Sequence, residues 1–393
     1  MLSVQIYPGD EEDYYVDISR IGAASDSVDL IILSRPSVGQ ILTVPLDTIE
    51  QFGQIVHLSI TAELGDRLVL NVDDLDSDNL QSLRLTGVEV RSNIGADLFL
   101  LQYSHSLHTL HLNSVTGLNT IEVADSISAL TNLRVLKVVS TDIGIEGIVW
   151  NLNSLQLLEE LVLDTEWMNR LPDIEDCINL REVVLNSRGT HVQDTLEDIT
   201  WTRLTALRSL SVSCNTGGTV PVLSNSLRHL SLSHNELTGT IPTELFTDMQ
   251  LSTLDLSHNQ LEGYLPNTVI EIDRIDLSYN RLMGHIQEIY ADEIVLSNNL
   301  FTSIGYIDAL RVLDVSHNNI VGELVQSDFY SIVGKKELNV YGNNFGTVQL
   351  PVDADTGLIF IYYGSRTVTE VGSGWQLLSS DEVQDRAVYK KLY

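Results

Sequence analysis

The chain has 393 residues, of which 43% are hydrophobic, and its 54 acidic and 22 basic side chains give a formal net charge of −32. Such a charge repels phosphate backbones and anionic lipid surfaces, which argues against nucleic acid and favours protein partners, including basic ones. Because no segment approaches ~18 uninterrupted apolar residues, the sequence predicts no membrane insertion.

Residues 1–77 contain short apolar runs, including SVQIY, VDLIIL, QILTV and RLVLNV, separated by Gly, Pro and Asp. Runs of this kind are typical of short β-strands. We predict a β-rich N-terminal cap or small domain here, which would cover the exposed hydrophobic end of the array that follows.

The start of the chain also bears on its location. The residues MLSVQIYPGDEEDYY have neither the cationic beginning nor the apolar core of a signal peptide. No Asn-x-Ser/Thr glycosylation sequon occurs, although the sequence is rich in Asn, Ser and Thr. These features predict an intracellular (cytoplasmic) location, or a place in a viral or other macromolecular assembly, rather than secretion.

Two stretches partly match metal-binding patterns. DDLDSDNL (residues 73–80) has the alternate aspartates of a calcium loop, but Asn79 replaces the loop's glycine and Leu85 its bidentate glutamate. His108 and His111 would point to opposite faces of a strand. We therefore expect no metal site and no cofactor. Catalytic motifs such as a Walker loop, a G-x-S-x-G elbow or HExxH are missing too, so we predict that the chain is not an enzyme.

A spacing of leucines and asparagines repeats through residues 78–347. Leu227, Leu230, Leu232 and Asn235 begin the pattern L-x-x-L-x-L-x-x-N-x-L, which recurs about every 19–25 residues. The upstream copies keep the leucines but mostly lose the asparagine. The triplet Ser-His-Asn that ends at Asn235 suggests a catalytic triad in isolation, but its near-recurrence in three copies marks it as part of the repeat.

This spacing resembles that of leucine-rich repeat proteins, and the glycines four positions after the asparagine, with Pro242 and Pro266 beyond, resemble the plant-type subclass. The resemblance implies an α/β solenoid, a curved leucine-rich repeat array of about twelve repeats with a parallel β-sheet on the concave face and non-repeat caps. The array is expected over residues 78–347.

Residues 348–393 depart from the repeat. GLIFIYYG is typical of a strand, and DEVQDRAVYKKLY predicts a short terminal helix. We predict a C-terminal cap here. The paired-cysteine caps that the plant-type resemblance implies for secreted members are missing, because the sequence has only Cys177 and Cys214.

In such an array the asparagine turns inward where the chain bends, and its amide satisfies backbone groups that the turn leaves unpaired. We therefore predict a structural asparagine ladder. Its members are Asn215, Asn235, Asn259, Asn280, Asn299, Asn318 and Asn343.

Strand positions between the inward leucines would face a partner. In the middle repeats they predict an apolar centre with an acidic rim, and in the later repeats a polar and mostly acidic strip. The centre is Val135, Val139, Val162 and Val184, the rim is Glu160, Asp164 and Glu182, and the strip includes His229, Asp255, Asp276 and Asp314. The alternative is that these valines reflect only the preference of β-branched residues for strands.

The resemblance implies a rigid recognition scaffold, so the predicted function is non-enzymatic protein–protein binding through the concave face. One alternative is a structural subunit of a large assembly, such as a capsid or an organellar complex. Another is an extracellular receptor or inhibitor ectodomain, against which the missing signal, cysteines and sequons argue. The sequence does not determine the oligomeric state.

Overall fold

The computed structural model describes residues 2–6, 27–32, 42–44, 56–62, 68–71, 79–91, 98–101, 104–118, 121–140, 150–166, 168–189, 192–324, 336–349, 358–362, 368–370, 375–381 and 386–391. The chain divides into two compact units. The N-terminal unit is Met1–Asp194 with Asp198–Leu207, and the C-terminal unit is Thr195–Glu197 with Arg208–Tyr393. Short 3₁₀ turns at Leu196–Asp198 and Trp201–Arg203 occur in the sequence at this division.

The N-terminal unit consists mainly of short strands. Its elements are β1 (Leu2–Ile6), β2 (Ser27–Ile32), β3 (Leu42–Val44), β4 (His57–Ala62), β5 (Leu68–Asn71), β6 (Ser82–Thr86), β7 (Val88–Arg91), α1 (Leu98–Leu101), β8 (Thr109–Asn113), α2 (Ile121–Ser128), β9 (Val135–Val139), β10 (Glu160–Thr165) and β11 (Glu182–Ser187).

Strands β1, β2, β4, β6, β8, β9, β10 and β11 pair in that order, and every pairing is parallel. The register places Leu58, Leu83, Leu110, Leu136 and Leu161 side by side, and each is at most 1% exposed. The side chains between the inward positions are half-buried or exposed, as the period of 2 in a strand requires. Stacking at about 4.8 Å per strand therefore turns each L-x-L segment into one layer of a continuous core.

Strands β1, β2 and β4 come from residues 1–77, the segment predicted as a cap. They pair in the same parallel sense as the strands after residue 78, so no change of strand direction marks that boundary. Strands β3, β5 and β7 form a second, smaller parallel sheet. The boundary of the cap at residue 77 stays a prediction.

The C-terminal unit is also built mainly from strands. Its elements are β12 (Ser209–Ser213), β13 (His229–Ser231), α3 (Glu244–Thr247), β14 (Thr253–Asp255), β15 (Glu262–Tyr264), β16 (Ile270–Glu271), β17 (Arg274–Asp276), β18 (Arg281–Ile286), β19 (Ile289–Val295), β20 (Leu300–Ile304), β21 (Ile307–Asp314), β22 (Val321–Leu324), β23 (Lys336–Asn339), β24 (Asn344–Gln349), β25 (Leu358–Tyr362), β26 (Val368–Glu370), β27 (Trp375–Asp381) and β28 (Arg386–Lys391).

Here the main parallel ladder runs β12, β13, β14, β17, β19, β21, β23 and β25. Leu230, Leu254, Ile275, Ile294 and Leu313 are register neighbours, and all are buried. Two smaller parallel sheets, β15–β18–β20 and β22–β24–β26, lie beside the ladder. The predicted parallel solenoid is confirmed, and within the described ranges its helices are few and short.

The C-terminal segment corrects one expectation. The strand predicted from GLIFIYYG is confirmed as β25, but the terminal helix predicted from DEVQDRAVYKKLY is wrong. Residues 386–391 form β28, which pairs antiparallel with both β25 and β27. The edge of β25 presents unpaired backbone groups that a strand satisfies directly, and this tertiary pairing overrides the local helical pattern.

Buried asparagine amides connect successive turns of the C-terminal unit. The Oδ1 of Asn280 accepts the N–H of Leu261 at 3.0 Å, and its Nδ2 donates to the carbonyls of Leu256 and Leu277 at 2.9 and 3.1 Å. Each amide thus bonds its own turn and the turn before it. The same arrangement is made by Asn235, Asn259, Asn299, Asn318 and Asn343.

Asn215 is placed differently from the other asparagines of the predicted ladder. It is exposed and has a left-handed φ of 51°. The neighbouring Cys214 is fully buried, and its N–H donates to Oδ1 of Asn235 at 3.1 Å. Cysteine is the accepted substitute for asparagine at this position of the repeat. The turn after β12 therefore places Cys214 inward and Asn215 outward.

Replacing a ladder asparagine should destabilise the fold. In Asn318→Ala the N–H of Phe301 and the carbonyls of Leu296 and Val315 lose their partner inside the protein. We expect the free energy of unfolding in urea to fall by about 2–3 kcal/mol, because buried polar groups left unsatisfied carry their full desolvation cost.

The adjacent Asn319→Ala is the matched control, since Asn319 is exposed. Its effect should stay within about 0.5 kcal/mol. Equal losses in the two variants would contradict the structural role of the amide ladder.

Candidate partner-binding face

The open face of each ladder is the side that carries the half-buried and exposed side chains between the inward leucines. In the N-terminal unit, Val162 and Val184 are register neighbours on β10 and β11, and both are half-buried. Lys137 is the neighbour of Val162 on β9, between Val135 and Val139 along that strand. The apolar centre is thus the pair Val162 and Val184, while Val135 and Val139 lie in the rows on either side.

Ion pairs neutralise part of the acidic rim predicted around these valines. Glu160 pairs with Lys137, and Asp164 accepts a hydrogen bond from Arg188 at 3.1 Å. Both pairs are partly solvent-exposed, so each contributes little to stability. Glu182 is exposed at the start of β11. The rim therefore carries both signs of charge.

A row of basic side chains approaches the same valines. Arg84, His111 and Lys137 are register neighbours on β6, β8 and β9. Burial lowers the pKa of His111, and Arg84 and Lys137 lower it further, against an opposing effect of Glu160. Because these shifts favour the uncharged imidazole, Arg84 and Lys137 carry the positive charge of the row at neutral pH.

The open face of the C-terminal unit carries the predicted acidic strip. His229 is exposed, and its Nδ1 lies 3.1 Å from Oγ1 of Thr253. Asp255 and Asp276 are register neighbours on β14 and β17, and Asp314 lies two strands further along, on β21. The structure therefore places these three aspartates in one row, each half-buried.

Serines at the strand ends orient two of these carboxylates. Oδ1 of Asp276 accepts hydrogen bonds from the N–H and the hydroxyl of Ser278, at 3.0 and 2.6 Å. Ser257 makes the same pair of bonds to Asp255, at 3.0 and 2.7 Å. Burial raises the pKa of Asp276 and neighbouring Asp255 adds to the rise, while the Ser278 bonds and Arg274 oppose it. Two like charges thus stand side by side in a partly desolvated site.

A row of rings that the repeat spacing does not predict lies beside the strip. The residue before five of the ladder asparagines has a positive φ of 52–56° and projects outward; these residues are His234, His258, Tyr279, Asn298 and His317. The rings of His234, His258 and Tyr279 stack in sequence, with centroids 4.2 Å apart and planes within 11°. The sign of this row in the sequence is the residue before each of these asparagines, although the recurrence of the repeat explains that residue without a row of rings.

The C-terminal unit also has an acidic cavity of about 450 Å³, lined among others by Glu271, Asp273, Tyr290 and Asp292. The Tyr290 hydroxyl donates to Glu288 at 2.5 Å, and this bond raises the pKa of Tyr290 to about 12. Within the described parts of the chain no group of three or more His, Cys, Asp or Glu is placed to hold a metal ion. No helix among them is long and apolar enough to cross a membrane.

Comparisons with known proteins agree with this geometry. The family model described as Leucine Rich Repeat matches residues 226–247 and 250–270. The PEPR1–AtPEP1 crystal structure is similar with a TM-score of 0.53 and 18% identity, over 88% of this chain and 58% of that one. A leucine-rich repeat protein of Leptospira interrogans is similar with a TM-score of 0.51 and 20% identity, over 77% of this chain and 70% of that one.

At these identities the likeness is one of fold. The chain spans 58% of the length of the first of these structures. No curated protein is a detectable sequence relative of the chain.

The ring row makes a prediction about protonation. Burial lowers the pKa of His258 from its ordinary value of 6.5, and neighbouring His234 lowers it further, against Asp276 and Asp255. A histidine pKa that is lower in the folded state contributes stability above pH 6.5, and this stability is lost as the pH falls through the folded pKa. We expect the NMR titration midpoint of the His258 ring to lie below 6.5.

The double variant Asp255→Asn and Asp276→Asn should lower the midpoint of His258 further, because it removes both opposing charges. His258→Gln identifies the signal. A midpoint at or above 6.5 in the unaltered protein would contradict the packing described for this ring.

Proposed function

We propose that this chain, a leucine-rich repeat solenoid, is a non-enzymatic scaffold that binds a protein partner through the open face of its strand ladders. The observation that carries the proposal is the half-buried pair Val162 and Val184, set on a rigid parallel sheet among ion-paired charges. An apolar centre with a polar rim is the usual anatomy of a protein interface.

The surface of the N-terminal unit supports this reading further. Lys137 on β9 is the register neighbour of Val162, Arg84 lies further along the same row on β6, and Glu182 is exposed at the start of β11. Rim charges of both signs set the orientation and the rate of association more than the affinity. The partner expected here is therefore a folded protein with an apolar contact and complementary charges of both signs.

We also propose a location inside a cell or within an assembly, which the absence of glycosylation sequons from the sequence supports.

The valine pair gives a direct test. We expect Val162→Asp combined with Val184→Asp to weaken partner binding by at least about tenfold, because two desolvated charges replace the apolar contact. The free energy of unfolding should change by no more than about 1 kcal/mol, since both positions are half-exposed strand sites. A loss of several kcal/mol would show that these valines belong to the core.

The partner itself can be captured by a photo-crosslinking residue. Benzoylphenylalanine in place of Val184 should give a discrete adduct in the native host, identified by mass spectrometry. The control position is Ile178, which is 51% exposed in the segment between β10 and β11. The adduct should be absent there, and it should be lost when Val162→Asp is introduced.

Size-exclusion under graded salt distinguishes the alternative of a structural subunit. A recognition scaffold should run near 43.7 kDa and release its partner as salt rises. A large particle of fixed stoichiometry, with equal adducts at positions 178 and 184, would instead support a building block of an assembly.

A further inference from the structure

We propose that the open face of the C-terminal unit holds an arginine side chain of the partner in a slot over β19, between Asp276 and Asp314. This inference rests on the proposed function and names the chemistry of one anchor. The slot is formed where three consecutive strands of the ladder, β17, β19 and β21, carry two complementary rows of side chains.

The first row is neutralised within the protein. Glu293 on β19 pairs with Arg274 on β17 at 3.3 Å and with Arg311 on β21 at 3.5 Å. A carboxylate in the middle position is thus flanked on both sides by guanidinium groups. Arg274 and Arg311, the basic residues of β17 and β21, are therefore already engaged by Glu293.

The second row has the opposite order of charges and an uncharged middle position. Val295 on β19 is the register neighbour of Asp276 on one side and of Asp314 on the other. In the described part of the chain, none of the salt bridges involves Asp276 or Asp314. A cation above Val295 would lie between two carboxylates, just as the carboxylate of Glu293 lies between two guanidinium groups in the first row.

The internal bonds of the two aspartates leave acceptor capacity toward the slot. Asp276 uses Oδ1 for both bonds from Ser278, and Asp314 uses Oδ1 for the N–H of Ser316 at 2.8 Å. Oδ2 of Asp314 accepts one further bond, from Nδ2 of Asn339 at 3.1 Å. Because each carboxylate oxygen accepts more than one bond, both groups are held in place and can still bind a donor.

The row of outward-facing rings borders the slot and offers a surface on which a guanidinium can stack. Three residues after Val295 the outward position is Asn298, between Tyr279 on one neighbouring turn and His317 on the other. The ring stack ends at Tyr279, which is 51% exposed. A small side chain therefore interrupts the line of rings in the turn that follows β19, the strand that separates the two aspartates.

Tyr279 differs from the other outward residues with positive φ in its residue type. Asparagine and histidine are enriched at positive φ, so His234, His258 and Asn298 are explained by the turn alone. A bulky tyrosine gains nothing from that conformation, and its ring is neither buried nor required by the turn. Its exposed face is available to stack on a planar cation.

The geometry selects arginine over lysine. Asp276 and Asp314 are two strand spacings apart, roughly 10 Å between backbones. A guanidinium has forked donors in one plane, so it can bond carboxylates on opposite sides while its face lies against a ring. An ammonium is a compact point charge with neither property.

Peptide titrations followed by NMR test this slot on the full chain. The probe is acetyl-Gly-Ser-Arg-Ser-Gly-amide, and the reporter is the methyl signals of Val295. The matched peptides carry lysine or citrulline in place of arginine. We expect saturable shifts with the arginine peptide, at least about fivefold weaker binding of the lysine peptide, and none of the neutral citrulline peptide.

Three variants and one control variant locate the site. Asp276→Asn and Asp314→Asn should each weaken arginine binding about tenfold, the usual effect of losing a charge-assisted bond. Glu262→Gln is the control, because it removes the same charge from an exposed position in the separate sheet of β15. Asn298→His should abolish binding by filling the slot, and it should fold, because His258 and His317 occupy the same position in nearby turns.

Equal binding of the arginine and lysine peptides, or equal effects of Asp276→Asn and Glu262→Gln, would overturn the proposal in favour of general attraction to an acidic surface. If the arginine peptide does not bind, but benzoylphenylalanine at position 184 still forms its crosslinked adduct, the arginine slot is wrong and the proposed function stands. If the arginine peptide does not bind and no adduct forms at position 184, the proposed function fails as well.

Discussion

A buried asparagine amide at the end of each strand is the interaction on which the C-terminal unit depends. The amide of Asn280 bonds the backbone of its own turn and of the previous one, so it sets how closely successive turns stack. Backbone groups inside a solenoid have no access to water, and one amide can donate two hydrogen bonds there and accept others at the same time. The leucine column supplies the hydrophobic stabilisation, and the amides hold the turns in one register.

The same interaction has a consequence on the surface. To turn the amide inward, the chain adopts a left-handed conformation at the preceding residue, which sends that side chain outward. Repetition at each strand then aligns these side chains, and His234, His258 and Tyr279 stack at 4.2 Å. A structural requirement of the turn thereby creates a line of exposed rings, beside a row of aspartates whose spacing the parallel ladder also fixes.

The two units present different chemistry on their open faces. In the N-terminal unit two of the acidic side chains around Val162 and Val184 are paired, Glu160 with Lys137 and Asp164 with Arg188, and Glu182 is exposed. In the C-terminal unit Asp255 and Asp276 stand together, and the burial of Asp276 adds to their mutual repulsion. A cation would relieve this repulsion, whereas Glu160 and Asp164 of the N-terminal face already have Lys137 and Arg188 as partners. The net charge of −32 does not distinguish these cases, because it sums over the whole chain and does not say which charges are neighbours.

The sequence by itself determined the repeat, the inward leucines and most of the asparagine ladder, because these depend on a local period of two along each strand and on one turn chemistry. It did not determine that Cys214 replaces Asn215 in the ladder, since a turn shorter by one position is visible only in the hydrogen bonds. Nor did it determine the strand at residues 386–391, because the edge of β25 that stabilises it is distant in sequence. The rows of the open face were likewise decided by tertiary structure. Which residues of different strands become neighbours depends on the register between turns of unequal length, and this register placed Lys137 beside Val162 and set Val295 between two aspartates.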